Sequence, residues 1–205
     1  MTPLRAILRV CLAAMGVATL ISTPACSERP VSGGPQELAL AQATVAHDVA
    51  AVQRLLDAGA DPNRVVQIDG RSRAPWAIAL SEIRPRQPDR VAIIKAMLKA
   101  HASTSRTWDE SRRAYQRDPI AVAMLHPDAE VIRALIDAGL DLRSGQDTLV
   151  SAIESGDMDV ARVLVDAGVD PNCRPGALTP LVAAIQARDL AMVTYLEAHG
   201  AREKP

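Results

Sequence analysis

The chain has 205 residues, 48% of them hydrophobic, and its 23 Lys and Arg against 24 Asp and Glu give a formal net charge of −1. It contains no Phe, two Trp and two Tyr, so Ala, Leu, Val and Ile supply the apolar mass. Such a composition suits helices packed closely in layers and does not suggest a ligand pocket lined by aromatic rings. Of the three cysteines, Cys11 and Cys26 lie near the start, which leaves Cys173 alone and excludes an internal disulfide in the remainder.

Residues 1 to 25 read as a signal peptide. Arg5 and Arg9 form a basic start, Val10 to Ile21 is apolar and uncharged, and small residues lead to Ala25-Cys26. The apolar run is short for a membrane span. A cysteine directly after a small residue resembles a bacterial lipoprotein signal, which implies lipidation of Cys26 as the mature N-terminus. Thr23 and Pro24 depart from that pattern, and ordinary cleavage after Ala25 is the alternative. An uncleaved anchor is a third reading, and it too places the rest of the chain outside the cytoplasm or against its membrane. The expectation is an exported, periplasmic, lipid-anchored protein. Residues 26 to 35, rich in Ser, Gly and Pro, read as a flexible tether. The remaining 36 to 205 are long enough for one sizeable core.

From there one phrase recurs. It reads Leu55-Leu56-Asp57-Ala58-Gly59-Ala60-Asp61, then Met97-Leu98-Lys99-Ala100-His101-Ala102. It returns as Leu135-Ile136-Asp137-Ala138-Gly139-Leu140-Asp141, Leu164-Val165-Asp166-Ala167-Gly168-Val169-Asp170 and Leu196-Glu197-Ala198-His199-Gly200-Ala201. Recurrence every 30 to 40 residues or so marks a stacked repeat array. Eleven residues before the Gly column stand Asp48, Asp128, Asp157 and Asp189, with Asp89 one place earlier in the second unit. An Asp there can accept a bond from free backbone N–H groups and so marks the start of a second helix. Apolar residues follow at helical spacing, and the helix stops at Gly, where a left-handed backbone is easiest. His101 holds that column in the second unit, so its turn is expected to be strained or differently shaped. First helices open at Ala74-Pro75-Trp76, Asp118-Pro119-Ile120, Asp147-Thr148-Leu149 and Thr179-Pro180-Leu181. The first unit, Leu38 to Ala46, keeps the apolar spacing without this opening, as a capping unit does.

A helix-turn-helix unit that ends in L-L-x-A-G-A-D and opens with T-P-L resembles the ankyrin repeat over residues 36 to 203. The resemblance implies an all-α, ankyrin-like helix-turn-helix solenoid of about five repeats with short hairpin fingers, and a function in binding other proteins. The His that usually follows T-P-L, which bridges neighbouring units in that family, is replaced by Ala77, Ala121, Val150 and Val182. Less tidy bonding between repeats is expected.

The fingers differ. From the Gly column to the next helix opening they span 16 residues (Gly59 to Pro75), 18 (His101 to Pro119), 9 (Gly139 to Thr148) and 12 (Gly168 to Pro180). An insert, Ser81 to Pro88, also lengthens the link inside repeat two. The longest finger carries Arg106, Trp108, Arg112, Arg113, Tyr115 and Arg117, residue types that carry about 2 kcal/mol or more each when buried at interfaces. These six are the candidate partner-binding residues. The competing reading folds Trp108 back over a repeat edge and leaves the arginines solvated. Trp76 and Tyr195 take apolar helix positions and are expected in the core. Asp61 to Asp118 holds 12 Lys/Arg against 7 Asp/Glu, whereas Pro119 to Pro205 holds 7 against 13. A basic, aromatic finger favours an acidic protein surface.

No catalytic arrangement is present: no G-x-S-x-G, H-E-x-x-H, phosphate loop or paired Cys motif. His47, His101, His126 and His199 sit at turns whole repeats apart and converge on nothing, so no metal is expected. Neither are a cofactor, a nucleic acid or a small-molecule substrate. The expected partner is an envelope protein or enzyme. Exported proteins of the resembled family include accessories to envelope enzymes and immunity proteins against delivered toxins; a spacer without a specific partner is the other reading.

Overall fold

In a computed structural model the described residues are 33–83, 87–105, 107–109, 114–173 and 178–202, all within one compact unit, Val31–Pro205. The signal segment, Cys26 and the tether as far as residue 32 lie outside the described residues.

Among the described residues ten α-helices form five pairs. The first helices are α1 (Pro35–Val45), α3 (Pro75–Ser81), α5 (Pro119–Ala123), α7 (Gly145–Ser155) and α9 (Pro180–Gln186). The second helices are α2 (Val49–Asp57), α4 (Pro88–Lys99), α6 (Ala129–Asp137), α8 (Met158–Asp166) and α10 (Leu190–Ala198). First helices pack on first helices, and α2, α4, α6 and α8 pack in a second row, which is the expected two-layer solenoid. Each layer supplies apolar side chains to one continuous core, mostly aliphatic, including Leu40, Ile93, Ile132, Leu149, Leu164 and Leu196 together with Trp76.

The Asp column behaves as its position requires in three units. Asp48 accepts from the Ala51 N–H, Asp128 from those of Glu130 and Val131, and Asp189 from that of Met192. Two members differ. Gln87 is the N-cap of α4 and Asp89 lies inside its first turn. Asp157 is the N-cap of α8 without a side-chain cap bond, and burial pushes its pKa up.

At the other end, Gly59, Gly139, Gly168 and Gly200 have φ of 90°, 90°, 97° and 91°. His101 adopts φ 63° and keeps the same closure: its N–H donates to the Leu98 carbonyl and that of Ala102 to Met97, as Gly59 and Ala60 do to Leu56 and Leu55. The turn is therefore strained rather than reshaped. A second left-handed column lies twelve residues earlier, at the turn between paired helices, where His47, Gly156 and Arg188 have φ of 57°, 82° and 56°.

The fingers hold the main addition to the expected architecture. Finger one folds as β1 (Val66–Ile68) and β2 (Arg71–Arg73), and finger two as β3 (Thr107–Asp109) and β4 (Ala114–Arg117). The two hairpins join edge to edge in one antiparallel sheet of order β1-β2-β3-β4. Asp69 and Gly70, both at positive φ, form the two-residue turn that matches the twist of a hairpin. Val66 and Ile68 alternate inward with Gln67 outward, and pack with Ala41 of α1 and Ile78 of α3 in a second small core. Finger three forms no strand: a 3-10 turn, Leu142–Ser144, leads straight into α7, which starts before the expected Asp147-Thr148 opening.

Candidate functional site

The sheet made by the two long fingers carries the candidate residues. Trp108 lies in β3, and Tyr115 and Arg117 lie in β4, with Thr107 in register with Arg117 and Asp109 with Ala114. Arg106, Arg112 and Arg113 lie outside the described residues.

The stem of the second finger is held by three contacts. Trp76 is buried, as expected, and its indole N–H donates to the Ser103 carbonyl at 2.9 Å. Asn63 donates its amide to the His101 carbonyl at 3.0 Å and accepts the Ser103 N–H at 2.7 Å. One carboxamide thus spans both sides of the turn in the following repeat. Asn172 repeats this on the last unit, donating to the Gly200 carbonyl and accepting the Arg202 N–H. The signal was legible as Asp61-Pro62-Asn63 and Asp170-Pro171-Asn172, which stand at the same place after their Gly columns.

Side chains other than the missing histidines thus bridge neighbouring repeats. Arg90 is fully buried, donating through one terminal nitrogen to the His126 carbonyl (2.6 Å) and through the other to that of Leu80 (3.1 Å). It clamps α3, α4 and the turn after α5. Desolvation lowers its pKa, and Asp128 opposes that shift. Arg73 is also buried and pairs with Glu82. Two of the twelve cations counted between Asp61 and Asp118 are consequently internal structure, and the basic surface is smaller than the count suggests.

Tyr195 corrects a core assignment. It is only partly buried; its hydroxyl meets the Asp166 carboxylate and the Arg162 carbonyl, so it ties α10 to α8. The His199 ring packs against it at a tilt of 37°, 4.1 Å between centroids, with the Arg162 guanidinium 5.7 Å from the tyrosine ring. Cys173 is buried and inert: desolvation first, then the charges of Asp170 and Asp147, push its thiol up to about 11. Among the described residues no group of three or more His, Cys, Asp and Glu could hold a metal, and no helix is long and apolar enough to cross a membrane. An open groove runs between the helix-pair turns of repeats four and five, lined by Glu154, Met158, Arg188 and Leu190 among others.

A family model for ankyrin repeats, in three copies, matches residues 120–204, from α5 to the end of α10. Such repeats generally mediate protein–protein interaction and are typically non-catalytic. No curated protein matches the chain significantly. The two units before residue 120 share the helix pairing and turn columns of the matched ones.

Proposed function

From three ankyrin repeats and two further units of the same build, we propose that the chain is a non-catalytic interaction module of the bacterial cell envelope. It binds a protein partner through the sheet made by the fingers around repeats two and three. The observation that carries this reading is the joining of these fingers into one four-stranded sheet, whereas finger three is cut to a single turn. The sheet couples repeats one to three, and it also presents an enlarged edge that helix stacking alone does not require, since repeats three to five stack without one. Arg106, Arg112, Arg113 and Arg117 favour a partner with an acidic surface, which they attract before contact. The sequence around Cys26 supports a lipid anchor.

Two experiments test the two halves. The triple variant Trp108→Ala, Arg112→Ala, Arg113→Ala is expected to lose the protein captured by the wild-type chain from envelope extracts while its helical circular dichroism is unchanged. Retention of that protein would sink the finger reading. Cys26→Ala is expected to move the protein from the membrane to the soluble fraction; continued fractionation with membranes would contradict lipidation.

A further inference from the structure

Every residue of α3, from Pro75 to Ser81, is buried, whereas each of the other first helices exposes at least one residue. Set on their openings, Pro75 and Thr148, α3 and α7 differ at two places. Ile78, fully buried, stands where α7 has exposed Ser151, and buried Ser81 stands where α7 has exposed Glu154. Ser81 needs no water there, because its hydroxyl donates to the Ala77 carbonyl at 2.7 Å. The cover over Ile78 is the chain itself: Val66 and Ile68 of β1 pack with it, with fully buried Ala41 and with half-buried Leu38. An isoleucine at a position that is polar in repeat four is stable only under a lasting cover.

The hairpin is held on both sides. Beyond β1 the chain leading into α1 lies against it. The Gly33 N–H donates to the Val65 carbonyl, and a Cβ at Gly33 would stand 2.9 Å from Val66 Cγ1, so only glycine permits this approach. Buried Arg73 of β2 pairs with Glu82, the C-cap of α3. β2 also bonds to β3, which packs on α3 in its turn.

We infer that finger one is a strap that stays closed when a partner binds. The chain itself occupies the first-helix face of repeats one and two, and the partner is met by the outer face of the sheet. This deepens the finger reading and rests on it. The outer side of finger one is polar: exposed Gln67 donates its amide to the Ser72 hydroxyl, and exposed Arg71 follows the turn. A polar face with arginines around it suits the acidic surface of a folded protein, and not an extended segment laid along the helices.

The test starts from the purified full-length protein. The bonded amides of β1 and β2 are expected to exchange with deuterium within about tenfold of the rate for α3, because hairpin and helix open together. Hairpin amides that exchange faster than this would reveal a lid that lifts alone, and would overturn the strap. Ile68→Asp sets a charge beneath the hairpin and should release it while helical circular dichroism is retained. Its capture of the wild-type partner from envelope extracts should fall by about tenfold or more, as when an interface anchor is lost. Capture at or above the wild-type level would show that the partner uses the helices beneath. Should Ile68→Asp lose its helices, the exchange rates decide alone. They also decide the strap if the triple finger variant keeps its captured protein and the finger reading fails.

Discussion

His101 holds a backbone conformation that every other repeat assigns to glycine, and no atom stands within 4 Å of where a Cβ would sit at Gly59, Gly139 or Gly168. Any penalty for a side chain there is therefore one of backbone alone, about 1 kcal/mol. Gly168→Ala is expected to destabilise by about 1 kcal/mol in urea titration, and His101→Gly to be neutral or stabilising by up to about 1 kcal/mol. A large loss in His101→Gly would mean that the imidazole itself holds the finger stem. At Cys173 the folded thiol has a raised pKa, about 11 against an ordinary 9.0, so folding favours the protonated form. Its contribution is fully present below pH 9 and is lost as pH rises toward 11. Stability should fall across that window less steeply in Cys173→Ala, measured by denaturant midpoints. The Gly turns were legible in the sequence because they are local. The burial of Cys173, which the sequence shows only as a lone thiol, depends on the α7 backbone next to it, where the Gln146 carbonyl lies 3.8 Å from Sγ.

Among the elements, the clamp on α4 is the sharpest case. Arg90 looks like one more surface cation in a basic stretch, and its guanidinium meets the carbonyls of Leu80 and His126 only once α3, α4 and the turn after α5 have packed together. Arg90→Ala would leave the buried carbonyls of Leu80 and His126 without their donor, at about 1–3 kcal/mol each. A loss of about 3 kcal/mol in chemical denaturation is expected, with little recovery in Arg90→Lys, whose single ammonium cannot fork to both. A loss below about 1 kcal/mol would show that water replaces the clamp without penalty. Finger one, by contrast, was readable from chemistry that the repeat pattern obscures: Asp69-Gly70 between Val66-Gln67-Ile68 and Arg71-Ser72-Arg73 is a strong short-range hairpin signal.

For the whole unit, repeats one to three are coupled by the sheet as well as by helix packing, and repeats four and five by helix packing and single side-chain ties. Repeat arrays unfold in segments where neighbour coupling is uneven. Both tryptophans, Trp76 and Trp108, lie in the sheet-bearing half. In dilute solution the urea midpoint read by tryptophan fluorescence should exceed that read by far-ultraviolet circular dichroism, which sees all ten helices. Coincident curves would argue that the array is one cooperative block.

By itself the sequence determined the helix pairs, their Asp starts and Gly stops, the count of five and the places where two fingers are long. Each of these is specified by residues within a few turns of one another. The tertiary structure decided what those fingers become, because strand pairing between Arg73 and Asp109 exists only after the repeats that carry them have stacked. It decided which arginines are internal for the same reason, since Arg90 and His126 meet only across a repeat boundary. It also left Ile185 half exposed in repeat five, where its equivalent Ile153 is fully buried in repeat four, because burial of that position depends on what packs around it and not on its local sequence.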